Sequence, residues 1–162
     1  MSNIIPPRPR FHGAKRTFAM VASQFNAEYV QGLVTHATNE VRQLAPNTAL
    51  VLYQVPGAFE IPIVVRELAS QKKADAIIAL AVILEGKTGH AENLSRSVTN
   101  ALQQIAIEQG IPVINVVLSL TNEAQARERC LEDKINRGTE AARAAIEITN
   151  IMADLRAKQS DG

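Results

Sequence analysis

Residues 76–84 read AIIALAVIL, with no polar side chain anywhere in the run. Successive side chains of a β-strand point to opposite faces. A run that is apolar at both odd and even positions therefore needs cover on both sides, the condition of a central strand in a parallel sheet. The segment PVINVVLSL, 112–120, is nearly as continuous, and TFAMVAS (17–23) and ALVLYQV (49–55) read as two further strands. Helical patterns fill the gaps. Tyr29, Leu33, Ala37 and Val41 recur every four residues within 26–44, with Asn26 as the expected N-cap. The stretch 58–71 is helical, and Pro62 is tolerated there because it lies near the first turn. Residues 90–110 form a long helix closed by Gly110. Asn122 and Gln125 make a capping-box-like start for 123–131, and an alanine-rich helix covers 137–158. Regular alternation of strand and helix predicts an α/β three-layer sandwich: a four-stranded parallel sheet with helices on both faces.

Composition narrows the function. A chain of 162 residues fits one domain with a proper core, expected over 16–158. Residues 1–15 hold three prolines and read as an extended arm, and 159–162 as a disordered tail. A formal net charge of +1 gives no broad basic field, and tryptophan is absent, so nucleic acid is not an expected partner. The lone Cys130 precludes an internal disulfide. No run approaches the roughly 20 apolar residues that span a bilayer, and the N-terminus lacks the apolar core of a secretory signal. No membrane association is expected, and the expected location is cytoplasmic. His12, His36 and His90 are too scattered to suggest a metal site.

Ligands of such sheets bind beyond the carboxyl ends of the strands. The loops there contain QFN (24–26), PGAFE (56–60), EGKTGH (85–90) and SLTN (119–122). In EGKTGH, Gly86 and Gly89 let the backbone approach a ligand, and Thr88 is placed to cap the helix that follows. The free N–H groups of that helix suit a phosphate, and Lys87 adds a cation. His90 falls in the first turn, facing the same mouth, where the helix dipole favours a neutral imidazole able to accept a proton. A solvated histidine at a helix start is the alternative, and position alone does not separate the two. The loop is not a Walker A motif. Phe25 could stack on a flat ring or could cover the end of the core. Gly57 and Ala58 leave backbone groups open for a polyol or amide, and Phe59 and Glu60 start a helix. The charge run 127–142, with Arg129, Arg137 and Glu140, reads first as a solvated helix face.

VPGAFEIP, then a strand leading to glycine, threonine and histidine, then a late ER…N-[KR]-G-x-EAA segment, resembles the lumazine synthase family over residues 16–155. The resemblance implies a flavodoxin-like fold and a transferase of riboflavin biosynthesis. Its reaction would condense 5-amino-6-(D-ribitylamino)uracil with 3,4-dihydroxy-2-butanone 4-phosphate, without a redox cofactor. It implies Phe25 stacking on the pyrimidine, and Gly57, Ala58, Phe59 and Glu60 holding the ribityl chain and flanking the ring. Backbone bonds would come from Ile83 and Leu84, and a phosphate pocket from Gly86, Lys87 and Thr88. His90 would be the acid/base and Arg129 the phosphate-binding arginine. Arg137 and Glu140 would stand near the histidine. It further implies rings of five subunits with shared sites, singly or as decamers or 60-mers, and a product passed to riboflavin synthase. The arm could add to a neighbour's sheet edge. Five departures stand out: Glu85 for an arginine, Gly89 for a proline, Asn115 for a pocket phenylalanine, Ser119-Leu120 for a threonine pair, and CLEDK (130–134) for an AGTK stretch. They raise the alternative of a non-catalytic lumazine- or flavin-binding relative.

Overall fold

The structure, a computed structural model, describes residues 3–10, 15–86 and 88–160. Its strands are β1 (Thr17–Ser23), β2 (Ala49–Val55), β3 (Ala76–Leu84) and β4 (Val113–Leu120). Its helices are α1 (Ala27–Leu44), α2 (Ile61–Ser70), α3 (His90–Gln109), α4 (Glu123–Cys130) and α5 (Arg137–Ser160). The strands are all parallel in the order β2-β1-β3-β4. The chain moves outward from β1 to β2 and then crosses to β3, so the winding reverses between β1 and β3. Open α/β sheets bind ligands at that reversal.

β3 is interior, as its composition requires. Ala76, Ile78, Leu80 and Val82 pack into a core with Phe18 and Met20 of β1 and with α1 and α5. Ile77, Ala79 and Ala81 pack into the opposite core with Ala19, Val21, α2 and α3. The two buried faces of one strand thus anchor both helical layers. Each fully buried isoleucine contributes roughly 1.5–3 kcal/mol.

Local signals acted largely as expected at the helix ends. Gly110 is left-handed (φ 67°) and its N–H closes α3 on the Ala106 carbonyl. Asn122 Oδ1 accepts the Gln125 N–H at 2.9 Å, and Gln125 Oε1 accepts the Thr121 N–H at 2.9 Å, one residue before the usual capping-box donor. The expected helix 58–71 resolves into a 3₁₀ turn, Ala58–Glu60, followed by α2. Pro62 has no N–H to reach back to Ala58, whose carbonyl instead takes the Ile61 N–H. Helix α5 runs to Ser160, two residues past its expected end, so 159 and 160 are helical rather than tail; 161–162 lie outside the described residues.

Asn26 departs from expectation. It precedes α1 but is left-handed (φ 56°) and its side chain caps nothing; its Nδ2 donates to the Val82 carbonyl at 2.6 Å. Pairing of β1 with β3 stops at Ala22–Leu80, so this amide supplies the next rung and ties the β1–α1 turn to the end of β3.

Of the arm, residues 3–10 lie over α1 and α5 of their own chain. Arg143 Nη1 donates to the Pro6 carbonyl at 2.6 Å, while its Nε donates to Glu40 Oε2 at 2.7 Å. Asn150 donates to the Arg10 carbonyl at 3.1 Å and accepts from Arg16 at 2.6 Å. Glu40 is buried, and a buried carboxylate requires such a partner. Residues 1–2 and 11–14, His12 among them, lie outside the described residues. Among the described residues, no helix is long and apolar enough to cross a membrane.

Candidate functional site

One candidate patch stands where β1, β2 and β3 end. Phe25 is 71% exposed, so it does not cover the core. Its ring lies over Gly57: a Cβ there would come within 3.3 Å of two Phe25 ring carbons and 3.7 Å of Glu60 Oε1. Glycine at 57 is what lets an aromatic ring, a bare peptide edge and a carboxylate converge. Ala58 beside them is buried, whereas Phe59 is 70% exposed. Ile83 and Leu84, half-buried, follow Val82, the residue that Asn26 holds. Two exposed aromatic rings thus stand near the strand ends, Phe25 over Gly57 and Phe59 beside Pro62, Ile63 and Val98.

The loop after β3 opens a groove of about 530 Å³ whose lining includes Glu85, Gly86, Thr88, Ser95, Arg96 and Thr99. Lys87 lies outside the described residues. Thr88 does not cap α3. The N-cap is Gly89, without a side-chain bond, and the first return bond is Asn93 N–H to the Gly89 carbonyl at 3.2 Å. The N–H groups of His90, Ala91 and Glu92 are consequently free of intrahelical acceptors and suit an anion.

His90 is exposed but does not line that groove. It stands one and two turns before Leu94 and Val98, whose stripe packs with Ala58 and Ile61. Residues 92, 95, 96 and 99 form the stripe that lines the groove. A helix turns about 100° per residue, so neighbours on α3 serve different faces. His90 thus lies on the side of α3 that carries Leu94 and Val98, away from the stripe that lines the groove. Arg96, held by Glu92 at 2.8 Å, joins the groove as a cation that reading the sequence did not single out.

A second candidate patch lies at the other edge of the sheet. β4 is an outer strand, and beside it a groove of about 250 Å³ includes Asn115, Arg137 and Glu140 in its lining. Asn115 Oδ1 accepts the N–H of Val117 at 3.0 Å and its Nδ2 donates to Thr99 Oγ1 at 3.3 Å. Arg137 opens α5, is only 6% exposed, and pairs with Glu140 one turn on. The charge run is therefore not all solvated face: Arg129 on α4 is 7% exposed, with Glu128 at 3.4 Å and its Nε unpartnered. A buried guanidinium with an unmet donor is arranged for a further acceptor. Cys130 beside it is no nucleophile, because burial pushes its thiol up to about 12.

One chain thus brings Phe25, Gly57 and Glu60 together at one place, and Asn115, Arg137 and Glu140 at another. The nominated residues do not converge on a single groove. The Asn136 cap of α5, described below, also went unnamed in the sequence. An asparagine directly before a helix was the available signal.

Residues 15–153 match the family profile described as 6,7-dimethyl-8-ribityllumazine synthase. A 6,7-dimethyl-8-ribityllumazine synthase of Nitrosospira multiformis is 34% identical over 154 residues, covering 94% of each chain.

Proposed function

The chain belongs to the 6,7-dimethyl-8-ribityllumazine synthase family, and from that premise we propose how its residues divide the work. The activity is that of a transferase. It condenses 5-amino-6-(D-ribitylamino)uracil with 3,4-dihydroxy-2-butanone 4-phosphate to 6,7-dimethyl-8-ribityllumazine, with release of phosphate and water, in riboflavin biosynthesis. The pyrimidine amine adds to the ketone and water leaves to give an imine. Phosphate departs by elimination, and ring closure with loss of water completes the product.

In our assignment Phe25 stacks on the pyrimidine, and Gly57, Ala58, Phe59 and Glu60 hold the ribityl chain and flank the ring. Ile83 and Leu84 supply backbone bonds. Gly86, Lys87 and Thr88, with the start of α3, seat the phosphate, and Arg129 closes on it from a second subunit. Arg137, Glu140 and Asn115 complete the site from that second subunit, and His90 moves protons. Holding two reactants at bonding distance supplies much of the acceleration, and a placed imidazole adds about 10² to 10⁴.

The observation that carries this arrangement is the separation of the halves within one chain, with Phe25 and Glu60 meeting at Gly57 while Arg137 and Glu140 share a groove with Asn115. Two different patches that meet only between copies make a head-to-tail contact, which closes into a ring when the rotation between copies divides the circle evenly. We infer a ring of five, alone or stacked into larger shells, in the cytoplasm, with the product passing to riboflavin synthase. The test mixes two impaired variants, His90→Ala and Arg129→Ala, unfolds them together, reassembles them and assays them with the phosphoester far below the KM of Arg129→Ala. With shared sites, about a quarter recover both wild-type contributions, and product fluorescence returns to about that fraction. No recovery from correctly sized assemblies would place each site within one chain.

A further inference from the structure

The segment before α5, INRG at 135–138, contains a polar side chain with no solvent exposure at all: Asn136. Its Oδ1 accepts the N–H of Gly138 at 2.8 Å and of Thr139 at 3.3 Å. These are the second and third helical positions, the donors an N-cap is built to satisfy. Its Nδ2 donates to the Glu132 carbonyl at 3.0 Å, and its own carbonyl takes the Glu140 N–H at 3.2 Å. The first turn of α5 is further pinned from α1, because a Cβ on Gly138 would lie 2.3 Å from the Leu33 carbonyl oxygen. That turn carries Arg137 at its first position and Glu140 at its fourth, paired with each other.

We propose that Asn136 is a positioning residue for the reaction: its buried amide sets the first turn of α5 so that Arg137 and Glu140 stand paired in the groove beside β4. The proposal rests on the assignment of Arg137 and Glu140 to the site. Asn136 touches no substrate. It acts by fixing where the N-terminal turn begins, and a turn that frayed by one residue would swing the guanidinium by about 100° around the helix axis. Asparagine suits the task because one side chain both accepts from the turn and donates to the preceding connection. Serine or aspartate can perform only the first part.

The test measures kcat/KM for lumazine formation on assembled protein in Asn136→Ala, Asn136→Asp, Arg137→Ala and the double variant Asn136→Ala/Arg137→Ala. Ile146→Val in the buried part of α5 serves as a stability control away from the site. Loss of the cap should lower kcat/KM by about tenfold or more, the size of one misplaced charge-assisted bond. Asn136→Asp, which retains the cap acceptor, should recover most of that loss. In the Arg137→Ala background, Asn136→Ala should cost little further activity, since its effect runs through the side chain already removed. Should the alanine variant fail to assemble, Asn136→Gly, which also removes the amide but costs an N-cap position less, carries the same comparison. Full additivity in the double variant, or a loss no greater than that of an equally destabilised Ile146→Val, overturns the proposal. If Arg137→Ala itself leaves kcat/KM unchanged, the site assignment fails instead, and the two failures are told apart.

Discussion

Phe25→Ala should leave the fold nearly as stable as before and weaken capture of the aminouracil. The ring is 71% exposed, so less than a third of a phenylalanine's burial is at stake, about 1 kcal/mol or below. Stacking of an aromatic side chain on a flat heterocycle contributes about 1–3 kcal/mol. Its loss corresponds to a roughly 5- to 150-fold rise in KM for that substrate. Initial rates of product fluorescence against aminouracil concentration, with the phosphoester saturating, read the second effect. Urea unfolding at fixed protein concentration reads the first. Phe25→Tyr, which keeps the ring, should stay near wild type in both. A destabilisation of about 3–5 kcal/mol, the range for emptying a core phenylalanine, would mark Phe25 as packing. An unchanged KM would remove it from the pyrimidine.

Other consequences are sharp enough to check. His90→Ala should cut kcat by about 10² to 10⁴ with substrate KM values near wild type, and unchanged turnover would exclude it as the proton carrier. Arg129→Ala should act chiefly on KM for the phosphorylated substrate, because a guanidinium holds phosphate by charge-assisted hydrogen bonds. Cys130, raised from 9.0 to about 12 by burial, should resist a thiol reagent at pH 8 in the native protein and react on unfolding. The unfolded thiol ionises first. The stability it supports is therefore full below about pH 9 and declines as pH rises toward about 12, measurable as a falling urea midpoint. Gly138→Ala should destabilise by about 1–3 kcal/mol, because the clash with the Leu33 carbonyl outweighs the roughly 1 kcal/mol gained in helix propensity. Gly89→Ala meets open space, so its cost should be confined to the roughly 0.5–1 kcal/mol of a poorer N-cap.

What the sequence determined by itself was whatever depends on near neighbours. AIIALAVIL demanded two covered faces, Gly110 demanded a helix stop, and Asn122 with Gln125 announced a helix start. Each signal spans a few residues, so backbone geometry alone gives it meaning. Phe25, Gly57 and His90 could be nominated because strand ends are legible in the same way. Only the tertiary structure decided what those residues face. Asn26 was expected to cap its own helix, yet its amide bonds Val82, 56 positions away. Arg143 meets Glu40 across 103 positions to hold the arm. His90 and Glu92 are neighbours in the chain but stand on different stripes of α3, and Arg129 looked like solvated charge until folding enclosed it. Side-chain partners are chosen by the order of strands and by how helices pack across the sheet. Those choices are made by long-range burial, which leaves no local mark on the chain.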